Sequence, residues 1–355
     1  MANIKDVARY ANVSPTTVSH VLNDRGRVAP KTRERVLEVA AQLGYTANPH
    51  AQQLVTRRSR ILAIQMPDLD GAGPGVALLP TSESEYFLEL INGAAAAAAD
   101  ANYALIIVSA GVDASSMRGF GADGMIIVDP KGSEPVLRSS FAAECPIVTT
   151  GEPVIDSDTK GFVVDNDHGA AACETLNHFL AQGRSRPALI IDTTSRSYIR
   201  DIVQAYEDWC IHHAVQPAVI AVPDPSPAEM GGALASLREG PVPADAVYTS
   251  SDKCAIALLD AARTARVAVP NDLALASAVD SSILRVTNPP VTGVHLYPRD
   301  IGAQAVASVV GLIARRDPAC ELPPLETTRL LISTRLVVRG STTSTAKRRR
   351  PKERR

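Results

Sequence analysis

Aromatic side chains are scarce in this chain: one Trp, five Phe and eight Tyr make up 4% of its 355 residues. Ala, Val, Leu and Ile must fill its cores, which favours an α/β body over a β-sandwich. Cysteine is equally thin. Cys145, Cys173, Cys210, Cys254 and Cys320 are odd in number, widely spread and never in a CxxC pair. That pattern excludes a disulfide framework and reads as small buried hydrophobes in a reducing compartment. No stretch reaches the ~20 apolar residues of a membrane helix, and no apolar run follows the first charges as a secretion signal would. A cytoplasmic protein without membrane contact is expected. Walker, HExxH, GxSxG and GxGxxG motifs are all missing. Gly71–Gly75 is too irregular for a phosphate loop and no Lys follows it. His212 and His213 lie beside Cys210, but adjacent helical positions point apart, so no metal is expected there. Nothing argues for a cofactor or for catalysis.

What the chain does have is segregated charge. Residues 1–60 hold ten Lys/Arg against four acids, a net of +6, and the tail 341–355 is also +6. The whole chain is −2, so residues 61–340 carry −14. A phosphate backbone attracts both ends and repels the body. At 355 residues and 45% apolar content, the chain suits a small head and a larger two-part core.

The head reads as a helix-turn-helix. Asn3 with Asp6 three residues on forms a capping-box pattern for a first helix. Ser14, Pro15 and Thr17 mark the start of a second. Val7, Ala8, Ala11, Val18 and Val21 fall on facing sides as a core, leaving Thr16, Thr17, Ser19, His20 and Asn23 outward. Short hydroxyls, an imidazole and an amide on one helix face suit base edges in a major groove. A third helix is expected over about Pro30–Leu43, stopped by Gly44.

The phrases IKDVARYANVSPTTVSHVLN, KTRERVLEVAAQLGY and NPHAQQLV resemble the head and hinge of lactose-repressor (LacI/GalR) type regulators. The resemblance continues through ILAIQMPDL, ADGMIIV, PIVTTGEP, VVDNDHGAA, VYTSSDKCAIALL, VPNDLALASAVDSS, NPPVTGVH and STRLVVRGST. It covers about residues 3–343, in the family's order. It implies a head over 1–46, a hinge over 47–60 and an effector-binding and dimerisation core over 61–340; the remaining 341–355, charged and of low complexity, read as a basic, disordered tail. It assigns DNA contact to Pro15, Thr16, Thr17, Ser19, His20, Asn23, Thr32, Asn48, Ala51 and Leu54. Leu54 would wedge into the minor groove at the operator centre, a known device of minor-groove binders.

From residue 61 onward, short apolar runs alternate with helical stretches. Strands are expected at 61–66, 104–108, 124–128, 147–150, 188–191, 219–222, 246–249 and 273–276, with helices such as Glu85–Asp100, Ala170–Gln182, Tyr198–His212 and Asp252–Arg263. That alternation implies parallel βαβ sheets. The series is too long for one sheet, and the resemblance implies a two-lobed core like a periplasmic binding protein, its ligand at the carboxyl ends of the strands. The three polar positions with which the family holds sugars fall by eye on Val203, Ser251 and Val279, with Asp280 close by. Tyr86, Phe87 and His168 complete the candidate cleft. Loss of three bidentate groups argues for an effector less polar than a simple sugar. Residues 70–85 form a longer loop than relatives carry, and Val76–Leu79 is a candidate cover for the cleft. After Ser109 a full helix of relatives is reduced to about ten residues.

The sequence thus points to a dimeric, DNA-binding transcriptional regulator, a repressor of a near-palindromic double-stranded operator released by a small molecule. Control by a protein partner, effector-independent control, and a ligand receptor without DNA function are the alternatives.

Overall fold

The computed structural model describes residues 3–22, 28–45, 58–67, 81–137, 144–154, 161–193, 196–223, 225–240, 243–316 and 327–343. The chain divides into two compact units, residues 1–60 and 61–355. The first holds helices α1 (Ile4–Tyr10), α2 (Pro15–Leu22) and α3 (Pro30–Gln42). Asn3 caps α1 as expected: its side chain accepts from the Lys5 and Asp6 amides, while Asp6 accepts from the Asn3 amide at 3.0 Å. Ser14 Oγ accepts from the Thr17 amide at 3.1 Å to start α2. Val7, Ala8, Ala11, Val18, Val21, Val36 and Ala40 close a small core between the three helices.

The second unit contains two six-stranded sheets. Lobe one has β1 (Ile61–Gln65), β2 (Ala104–Val108), β3 (Gly124–Val128), β4 (Ile147–Thr150), β5 (Phe162–Asn166) and β11 (Arg329–Ile332), in the order β11-β5-β4-β3-β1-β2. Lobe two has β6 (Pro187–Asp192), β7 (Val219–Val222), β8 (Ala246–Thr249), β9 (Ala274–Ser277), β10 (Thr292–His295) and β12 (Arg335–Val337), in the order β12-β10-β9-β8-β6-β7. The two orders are the same pattern used twice. Described strand pairs are parallel except β10 with β12. Parallel sheets need cover on both faces. In lobe one it comes from α4 (Thr81–Asp100) and α11 (Pro298–Arg315) on one side and α5 (Ala114–Phe120) on the other. In lobe two it comes from α6 (His168–Ala181) and α7 (Ser197–His212) against α8 (Pro227–Glu239) and α9 (Asp252–Thr264). A short α10 (Ser282–Val286) follows β9.

Helices α4 and α11 approach to backbone contact. A Cβ at Gly93 would stand 2.0 Å from the Arg299 carbonyl oxygen, and one at Gly302 would stand 2.1 Å from that of Leu90. Glycine inside a helix is unfavourable by about 1 kcal/mol relative to Ala, so these two positions serve the crossing. Helix α4 begins four residues before the expected Glu85, and α5 retains two turns of the reduced helix, with Asp113 capping Ser116 at 2.7 Å. Loop 68–80, including Val76–Leu79, lies outside the described residues, as do the hinge residues 46–57 and the tail 344–355.

The chain passes between the lobes after β5, after β10 and between β11 and β12. Asn166, 1% exposed, joins these crossings: its Nδ2 donates to the carbonyls of Leu296 and Ile332, both at 3.0 Å. Among the described residues no helix is long and apolar enough to cross a membrane.

Candidate nucleic-acid interface and ligand cleft

On α2, Val18 and Val21 point into the head core, which turns Pro15, Thr16 and His20 to the surface. Thr16 and His20 are one helical turn apart and share a face. Thr17 and Ser19 are half-buried, and the Thr17 hydroxyl lies 2.9 Å from Ser14 Oγ, so part of its hydrogen-bonding capacity serves the cap. Thr32, in the first turn of α3, is half-buried. Lys31 and Arg35 of the same helix are exposed. Of the remaining candidates, Asn23, Asn48, Ala51 and Leu54 lie outside the described residues.

In the core, the carboxyl ends of the two sheets surround a cavity of about 280 Å³. Lobe one lines it with Tyr86 and Phe87 from α4, Asp129 after β3, Thr150 from β4 and Asp165 from β5. Lobe two supplies His168, Asp192, Arg196, Tyr198, Ser251, Asp252, Lys253 and Val279. This is the place where open α/β sheets bind ligands, because strand ends and helix N-termini converge there. Tyr86 and Phe87 meet edge to face, centroids 5.3 Å apart, and the His168 and Tyr198 rings lie 5.6 Å apart. Burial, then the negative charges of Asp129 and Asp165, push the Tyr86 hydroxyl well above its ordinary range. Burial likewise raises the Asp252 carboxyl.

Five of the seven expected cleft residues, Tyr86, Phe87, His168, Ser251 and Val279, therefore come together. Two do not. Val203 packs against the α6–α7 core, because its helical position faces the neighbouring helix rather than the cleft. The arginine that lines the cleft is Arg196, one residue before α7, and its guanidinium donates to the Asp129 carbonyl. Asp280 turns away from this cavity into a bidentate ion pair with Arg339 at 2.7 and 2.9 Å, its side chain 2% exposed. A carboxylate that deeply buried requires such a partner. Ser251 lines the cleft, yet its Oγ also caps α9 through the Cys254 amide at 3.3 Å. Val203 is thus outside the cleft, and charged groups stand among the apolar lining of the cavity.

Several contacts hold the lobes together around the cleft. Glu85 of lobe one accepts from the Ser282 amide of lobe two at 2.7 Å. The Ser197 hydroxyl of lobe two accepts from the Glu152 amide at 3.2 Å, and Arg200 pairs with Glu152 at 3.0 Å. Elsewhere, His213 stacks on Trp209 at 4.0 Å with Nδ1 2.8 Å from the Trp209 carbonyl, so packing accounts for His213, while His212 is exposed. Cys145, Cys210 and Cys254 are buried and Cys173 half-buried, all as free thiols; Cys320 is outside the described residues.

Comparison with known proteins agrees with this architecture. Residues 3–48 match the family described as bacterial regulatory proteins, lacI family, and residues 176–342 match the periplasmic binding protein-like domain. Catabolite control protein A of Staphylococcus xylosus is 25% identical over 346 residues, covering 96% of this chain and 98% of the relative. The HTH-type transcriptional repressor PurR of Haemophilus influenzae is 24% identical, covering 97% and 99%. Among solved structures, the lac repressor dimer bound to operator and the anti-inducer ONPF superposes with a TM-score of 0.72 at 21% identity, covering 97% of this chain and 99% of that one.

Proposed function

Because the chain belongs to the LacI family of bacterial regulatory proteins, and is a DNA-binding transcriptional regulator rather than an enzyme, we propose that it is a cytoplasmic repressor that acts as a homodimer. Each head places Pro15–Asn23 in a major groove of a near-palindromic operator, and Leu54 wedges at the central step. A small molecule in the cleft between the lobes alters operator affinity. The carrying observation is one chain that joins a helix-turn-helix head to a two-lobed core, with the strand ends of both lobes lining one cavity. That cavity, in which polar groups converge among apolar ones, favours a small-molecule effector over effector-independent control. The relatives whose names identify them as repressors, and the operator-bound lac repressor dimer, support the same reading.

A chain lacking residues 1–60 separates the two roles. It should lose sequence-specific DNA binding in an anisotropy titration while its core still unfolds cooperatively. Retained operator binding by the truncated chain would contradict the assignment of DNA reading to the head.

A further inference from the structure

We infer that the effector carries a positively charged nitrogen, held by Asp165 against the Tyr86 and Tyr198 rings. The inference rests on the reading of the cleft as the effector site and names the chemistry of its ligand. Asp165 is the penultimate residue of β5 and is 5% exposed. Its Oδ1 accepts from the Asn166 amide at 2.8 Å and lies 3.4 Å from His168 Nε2. Its Oδ2 is buried and has no hydrogen-bond partner among the described residues, and the residue lines the cavity. Thr150 Oγ1, on the adjacent strand, has none either. Buried polar atoms are ordinarily paired, and unpaired acceptors on two residues that line a cavity call for a donor from the ligand.

Charge narrows that donor. Among the described residues that line the cavity, the acidic side chains Asp129, Asp165, Asp192 and Asp252 outnumber the permanent cations Arg196 and Lys253. The Arg196 guanidinium donates to the Asp129 backbone carbonyl. A neutral polyol could give Oδ2 a hydrogen bond but would leave the excess negative charge in place. An ammonium or amidinium group does both, and aromatic faces attract it further when water is excluded. Tyr86 and Asp165 line the same cavity, so ring and carboxylate address the same region.

The test uses the full chain and charge-matched probe pairs: D-glucosamine with D-glucose, cyclohexylamine with cyclohexanol, and putrescine with butane-1,4-diol. Binding is read by thermal shift and calorimetry. In at least one pair the amine should bind about tenfold or more tightly than its neutral partner. Asp165→Asn should remove that preference, whatever the change in the unliganded melting midpoint. Equal binding within every pair, no binding by any amine, or a preference that survives Asp165→Asn overturns the inference. The wild-type comparison stands even if the variant folds poorly. Operator binding by the same preparation keeps the two readings apart: if it is intact, only the ligand chemistry has failed.

Discussion

His20 stands exposed one turn after Thr16 on α2, where a side chain meets base edges. Arginine makes the commonest bidentate contact to guanine, whereas imidazole offers fewer donors. His20→Arg should therefore shift one half-site position toward guanine, and identical selected sites for both proteins would show that residue 20 reads no base. Asp280 makes a different kind of claim. Its carboxylate is buried and the Arg339 side chain is only 13% exposed. Asp280→Ala would leave that cation uncompensated and should destabilise the core by about 3–5 kcal/mol, seen as a lower urea midpoint, with little change in effector affinity. At this scale the sequence was legible where chemistry is local. Caps at Asn3 and Ser14 depend on neighbours three residues away, so they could be read directly. The Asp280–Arg339 pair joins residues 59 apart, and no local pattern announces it.

Elements were legible in proportion to their periodicity. Central strands such as β3 and β8, buried throughout, are short apolar runs bounded by polar residues and stand out. Helix α11 did not, although Pro298 at its first turn and the buried series Ile301, Ala305, Val309 and Ile313 mark it in hindsight. Strand β12 is only three residues long and half-exposed, which gives pattern reading little to use. The cleft carboxylates Asp129, Asp165 and Asp192 carry a shared signal that motif searching passes over. Each lies at the carboxyl end of an apolar strand, in IIVD, FVVD and LIID. Such positions reach the crevice of an open sheet because the strand ends there. The α4–α11 crossing supplies the prediction at this scale. Gly302→Ala drives a methyl toward the Leu90 carbonyl oxygen, 2.1 Å away, and backbone cannot rotate aside as a side chain can. Overpacking of this kind costs about 1–3 kcal/mol, so the melting temperature should fall. An unchanged melting temperature would mean the helices separate freely.

Across the whole molecule, the head and tail are basic and the body acidic. Phosphate attraction carries no sequence information, so deleting residues 346–355 should weaken operator and random DNA about equally and flatten the salt dependence of binding. A loss confined to the operator would instead give the tail a specific contact. The two-lobed architecture was readable from strands too numerous for one sheet and from the long resemblance. The ionic character of the cleft was not. Val203 and Arg196 are seven positions apart, and only the folded orientation of α7 shows that the second of them meets the cavity.

The most direct test of the central claim is selection of bound sequences from random double-stranded DNA by the full-length protein. A dimer with one recognition helix per head should enrich an inverted repeat, with two matching half-sites about a central step. Enrichment of a single asymmetric half-site would contradict the dimeric operator complex, and no enrichment at all would contradict sequence-specific regulation by this chain.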